Sequence, residues 1–251
     1  MANQDLVISQ GNPQRELPGP QVNGVIQPFR ASRYMEQLVQ IAGAGKTGLH
    51  AQEGTYFEAT NATLGTAISG TAAPTSFSAT VALMSLYNSL LATTSPSKRI
   101  ELDYLKLEVR AAGTNGTSFQ FAMSIDAGNR FSSGGTTVTP INPNMDSASA
   151  SIATLNVGAL TATAASASVR RACHGMIRPV IKVIGDCYLF TFGQSHASAA
   201  GADIGGTNVQ LIPVHCPPVI LGPNQTFLLH EVAPSQSVAA TYEFSMGWWE
   251  R

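Results

Sequence analysis

Residues 98–109 read KRIELDYLKLEV. Ile100, Leu102 and Tyr104 alternate with Glu101 and Asp103, the two-residue period of a half-buried strand. Leu105, Leu107 and Val109 then alternate with Lys106, Glu108 and Arg110 on the other parity. The phase slips at Tyr104–Leu105. A β-bulge absorbs one extra residue, so a single bulge would keep both apolar sets on the core face. After the turn-forming AAGTNGT comes SFQFAMSID (118–126), with Phe119, Phe121, Met123 and Ile125 in strict alternation. These two strands are expected to pair as a hairpin.

The same period continues outward from this pair. TYFEATNATLGTAISGT (55–71) alternates weakly and is rich in Thr. ATVALMSLYNSLL (79–91) fits neither period, and a short apolar run cannot be typed by periodicity alone. AGNRFSSGGTTVTPINPNMDSAS (127–149) reads as a long loop of the interface-forming kind. Strand character returns at 150–166 and 168–185, then at CYLFTFG (187–193). QSHASAAGADIGGT (194–207) is a second loop, and three more strand segments close the chain over 208–251. Seven to nine short strands after residue 55 with uneven connections predict an all-β fold, a jelly-roll-like antiparallel β-sandwich over 51–251.

Residues 1–50 read differently. Residues 1–29 are polar and carry Pro13, Pro18, Pro20 and Pro28, a composition that cannot bury enough surface to fold alone. They predict an extended N-terminal arm. A short helix is expected over 32–42, from Tyr34, Leu38 and Ile41 at helical spacing, Ser32 as N-cap, and Gly43 and Gly45 at the exit.

Gly45-Lys46-Thr47 raises the question of a phosphate-binding loop. That motif needs a glycine at position 40, where Gln40 stands, and a strand before it rather than a helix. Among the five histidines, His50, His174, His196, His215 and His230, none shows zinc-ligand spacing. The pairs Cys173-His174 and His215-Cys216 would point to opposite faces of a strand. No G-x-S-x-G elbow is present, and no carboxylate pair stands out among the 15 acids. The cysteines, Cys173, Cys187 and Cys216, are odd in number and lack C-x-x-C spacing, which argues against a disulfide framework. Trp248 and Trp249 could stack on a sugar, but consecutive strand residues face opposite ways, so one belongs in the core and the other at an interface or the surface. No catalytic, cofactor-binding or metal-binding residue is expected, and the chain is read as a non-enzyme.

Composition points toward partners instead. Only 12% of residues are charged, against about a quarter in an average soluble domain. Ala, Gly, Ser and Thr make up 101 of 251 residues. Between Phe131 and Val169 the sole charge is Asp146, and between Cys187 and His230 it is Asp203. Interface cores are depleted in charge, so these stretches are expected to lie against neighbouring chains. Net charge is −1 with no basic stripe, which gives nucleic-acid binding no electrostatic basis. No apolar run approaches a membrane span, so no membrane partner is expected, and no secretory signal is visible in residues 1–25.

Four stretches carry a resemblance: IELDYLKLEVRAAGT (100–114), SIDAGNRFSSGGTTVTPINPNM (124–145), PPVILGPNQTFLLH (217–230) and TYEFSMGWWER (241–251). Over 98–251 the chain resembles structural proteins of tailed bacteriophage particles, most closely the jelly-roll capsid cement or decoration type. That resemblance implies a homotrimer made in the host cytoplasm and bound to the major capsid protein on the outer surface of the virion. It implies an arm that reaches neighbouring subunits. The alternative role is an adsorption module on a tail or head fibre that binds host glycan.

Overall fold

The computed structural model describes residues 30–31, 37–38, 50–61, 63, 65–70, 76–91, 98–114, 119–173, 182–193, 211–234 and 236–251. The chain forms two compact units, Met1–Gly45 and Lys46–Arg251. In the first, β1 (Arg30–Ala31) pairs antiparallel with β2 (Gln37–Leu38). The helix expected over 32–42 is therefore replaced by strand at Gln37 and Leu38; its other residues lie outside the described set. A helix of three turns is marginal without a packed face, whereas this short ladder satisfies backbone groups locally.

The second unit carries thirteen strands among the described residues: β3 (Tyr56–Thr60), β4 (Ile68–Ser69), β5 (Val81–Asn88), β6 (Ile100–Ala111), β7 (Gln120–Ala127), β8 (Phe131–Val138), β9 (Ala153–Ala162), β10 (Arg170–Cys173), β11 (Cys187–Phe192), β12 (Leu211–Cys216), β13 (Ile220–Leu221), β14 (Gln225–Val232) and β15 (Thr241–Glu250). The count exceeds the expected seven to nine because β4 and β13 are two-residue pieces, because β8 lies within the stretch read as loop, and because the untyped run at 79–91 holds β5. One helical turn stands at 50–52.

Two sheets face one another as a β-sandwich. The first runs β10-β7-β14-β5-β9-β8; the second runs β12-β11-β6-β15-β3, with β13 on β6 and β4 on β15. All pairings are antiparallel except β11 with β12. Successive strands β5, β6 and β7 alternate between the sheets, the crossing habit expected of a jelly-roll-like sandwich. The expected hairpin between β6 and β7 does not form, because they belong to different sheets. Alternation tells which face of a strand is buried but not which strand lies beside it.

The core lies between the sheets. β6 contributes Ile100, Leu102, Leu105, Leu107 and Val109, and β15 contributes Tyr242, Phe244, Met246 and Trp248. Facing them stand Phe121 and Met123 of β7 and Phe227 and Leu229 of β14. Rings lock the layers edge to face: Phe121 lies 5.5 Å from Tyr188 and 5.2 Å from Phe190, and Phe192 lies 6.0 Å from Phe227. The phase slip in β6 is a bulge. Gly247 opposes Tyr104 and Trp248 opposes Leu102, so Asp103 is the extra residue. It returns Leu105, Leu107 and Val109 to the core side. The run at 79–91 is a strand, β5, whose adjacent Leu83 and Met84 both enter the core; this is why neither period fitted it.

Candidate functional site

β8 ends the first sheet. Its residues 132–137, Ser-Ser-Gly-Gly-Thr-Thr, are exposed. An edge strand with no apolar face gives no alternating signal, which is why the sequence reads as loop there. The signal that was present is Gly134-Gly135, a bulge mark. Opposite Gly135, β9 carries two residues, Gly158 and Ala159, and the same two oppose Leu83 on β5. Gly135 adopts a φ of +65°, and a Cβ there would lie 2.3 Å from Leu160 Cδ2 and 2.4 Å from the Val157 carbonyl oxygen. Glycine is thus required by both conformation and space.

Beside this bulge a cleft of about 370 Å³ opens toward the second sheet. Thr66 and Ser69 line one wall, and Thr136, Val138, Val157 and Ala159 line the other. Asn61 shapes the floor. Its Nδ2 donates to the Thr66 carbonyl at 2.8 Å, and its Oδ1 accepts from the Phe244 N–H at 2.6 Å. The lining carries hydroxyls, backbone and small apolar groups but no charged side chain. Among the described residues β4 pairs only with β15. The cleft therefore lies between β4 of one sheet and the outer two strands of the other, β9 and the edge strand β8. Such a lining suits a neutral polypeptide backbone rather than an ionic ligand.

From β8 the chain enters the loop at 139–149, whose sole charge is Asp146, and is stapled to β3. Glu58 and Ile141 exchange two backbone hydrogen bonds, of 2.9 and 2.8 Å. Asn142 Nδ2 donates to the Gly54 carbonyl at 2.9 Å, and Asn144 Nδ2 to the Gln52 carbonyl at 3.1 Å. Farther on, Glu250 accepts from Ser151 Oγ at 2.5 Å and from the Ile152 N–H at 3.0 Å. The loop is held at both ends, yet Ile141 is 55% and Met145 97% exposed. A pre-organised loop presenting apolar side chains loses little entropy when a partner covers it.

The outer face of the second sheet concentrates acids and aromatics, but they engage one another. Tyr56 donates to Asp103 at 3.1 Å, Tyr104 to Glu58 at 3.0 Å, and Trp249 Nε1 to Glu101 at 2.7 Å. Burial first, then the neighbouring Asp103 carboxylate, raises the Tyr56 hydroxyl pKa, and burial likewise raises that of Tyr104. Both rings crowd over Gly247, where a Cβ would lie 2.1 Å from Tyr56 Oη. Trp248 and Trp249 do point to opposite faces, Trp248 into the core. Trp249, expected at an interface or the surface, is instead covered from within the chain. Trp249 is 6% exposed because His50 stacks on it, with ring centroids 5.5 Å apart. Its ring is thereby unavailable for stacking on a sugar.

Several buried titratable groups form internal links. On the outward side of the first sheet, His230 bonds Ser124 Oγ at 2.8 Å through Nε2 and the Val81 carbonyl at 2.7 Å through Nδ1. Arg130 pairs with Asp126 at 2.6 Å, both buried. Lys182 pairs with Glu231, which also accepts from Tyr242 Oη at 2.9 Å. His215 and Cys216 diverge as expected, with Cys216 in the core and His215 Nδ1 3.3 Å from Thr191 Oγ1. Cys187 and Cys216 are buried, and burial pushes the Cys216 thiol up to about 12. Among the described residues no three His, Cys, Asp or Glu side chains gather as a metal site, and no helix is long and apolar enough to cross a membrane. Gly45-Lys46-Thr47, His174 and His196 lie outside the described residues. No family model, curated protein or solved structure matches the chain.

Proposed function

We propose that this chain is a structural virion protein, a capsid cement or decoration protein that binds the major capsid shell of a tailed phage as a homotrimer. The observation that carries the reading is the continuous exposed surface of β8 and the stapled loop after it, where Asp146 is the sole charge over 131–169. Exposed polar surface normally carries charge, and interface cores are depleted in it. The four stretches that resemble phage particle proteins support the same reading and overlap this surface at 124–145. Each subunit of a trimer would bring one weak contact to a common shell, and avidity would multiply them. Quantitative gel analysis of purified particles tests this. A cement is present at a stoichiometry comparable to the shell protein, and its loss lowers the heat resistance of the particle. Presence in a few copies, with attachment lost and the head spared, would refute the cement role in favour of fibre adsorption.

A further inference from the structure

We propose that the cleft between β4 and β8 is the socket for the uncharged arm segment 17–29 of a second copy of this chain, a refinement that rests on the oligomeric cement reading. The socket has the chemistry of an unfinished sheet. β8 offers the backbone of Thr136 to Val138 as the outermost strand of its sheet, and β4 offers Ile68 and Ser69 on the side away from β15. The bulge opposite Gly135 and the irregularity between Phe131 and Ser133 break the β8–β9 ladder, so Thr136 to Val138 is the regular stretch at this end of β8. Bulges of this kind blunt an edge against indiscriminate pairing, leaving a short regular stretch for one partner. The walls are neutral, so an occupant with an unpaired charge would lose hydration without compensation.

The sequence supplies one long segment outside the sandwich that meets this requirement. Between Glu16 and Arg30 the chain reads LPGPQVNGVIQPF, thirteen residues without a charge. Pro18, Pro20 and Pro28 disfavour helix there and favour extended backbone. In an extended segment Val22 and Ile26 share one face and Val25 and Phe29 the other, so either face brings an apolar pair to Val138, Val157 and Ile68 in the cleft. Thirteen extended residues span roughly 40 Å, ample for the eight residues of β8 at roughly 26 Å. Strand addition of this type takes affinity from main-chain bonds and specificity from alternate side chains. Exchange between copies also closes: in a ring, every socket receives one arm and every arm finds one socket.

The test uses the purified full-length chain and sedimentation velocity. The wild type should sediment as a closed oligomer, and an excess of synthetic peptide 17–29 should dissociate it, while a scrambled peptide should not. Ala159 is exposed and lines the cleft, so Ala159→Trp should fill the socket and yield monomer with an unchanged circular dichroism spectrum. If that variant misfolds, Ile26→Asp in the arm serves instead, since it leaves the sandwich sequence intact. A monomeric wild type overturns the proposal, as does an oligomer indifferent to the peptide and to the variants. An oligomer that the peptide dissolves but that is absent from particles refutes the cement reading alone.

Discussion

Arg130 ties together the segments that support the β8–β9 hairpin, and its replacement by methionine should be severe. The guanidinium donates to the Thr163 carbonyl at 3.0 and 2.6 Å, to the Ala79 carbonyl at 2.9 Å and to Asp126 at 2.6 Å. Arg130 and Asp126 side chains are 3% and 1% exposed, so water cannot replace the lost donors. Removing one partner of a buried pair costs about 3–5 kcal/mol. In a domain of this size that lowers Tm by about 6–20 °C, at roughly 2–4 °C per kcal/mol. Asp126 supplies an internal control. Burial alone would raise its pKa, but donors from Ser166 Oγ, the Ser166 and Ala127 N–H groups and Arg130 outweigh that and hold it lowered. A carboxylate with a lowered folded pKa stabilises the fold above its unfolded value of about 3.9, and the benefit disappears as pH falls through the folded value. The penalty of Arg130→Met should therefore shrink at the acid end of that window. Urea unfolding of Arg130→Met, Asp126→Asn and the double variant measures this, and the double variant should cost less than the sum by about 1–3 kcal/mol. A loss under about 1 kcal/mol for Arg130→Met, or strict additivity, would refute the buried-pair account.

Three further outcomes follow from the geometry. Glu250→Ala orphans the Trp248 Nε1–H, bonded at 3.0 Å, and the Ile152 N–H, so thermal melts should show a loss of about 2–5 kcal/mol, partly restored by Glu250→Gln. Gly247→Ala forces a Cβ against Tyr56 and Tyr104; near-ultraviolet circular dichroism should report displaced tyrosines and destabilisation of about 1–3 kcal/mol. His230 has a lowered pKa, first from burial and then from the nearby Arg130 and Arg171, against an opposing hydrogen bond that it donates to the Val81 carbonyl. The unfolded chain then binds a proton that the folded chain refuses, so His230 stabilises fully above about pH 6.5 and progressively less below it. In His230→Gln the stability profile should flatten between pH 6.5 and 5; an unchanged slope would count against the burial account.

Local features of the fold were legible and pairings were not. The phase slip in KRIELDYLKLEV marked the bulge, though the ladder places its extra residue at Asp103, one position before the slip. Alternation in SFQFAMSID marked β7 and its buried face, but not its place in the opposite sheet. β8 was hidden because an exposed edge strand needs no apolar residue. The scarcity of charge over 131–169, with Asp146 alone, did single out the candidate surface, since composition survives ignorance of topology. The cleft itself could not be seen, because Ser69 and Gly158 meet only after β4 has joined β15 and β9 has joined β8. The stacking of His50 on Trp249 was hidden for the same reason: nearly two hundred positions separate them.

The bulge at Asp103 makes the spacing of β6 less tolerant than its composition. Ile100 and Leu102 serve the interior on one parity, and Leu105 to Val109 serve it on the other. Deleting Asp103 alone would leave one regular alternating strand, because Leu102 and Tyr104 already oppose the adjacent Trp248 and Gly247. A residue gained or lost elsewhere in the strand has no such outlet: beyond it, apolar side chains would turn to solvent and their charged neighbours inward. Exchange of one aliphatic residue for another should be easy to accept along this strand, whereas gain or loss of a single codon away from the bulge should not.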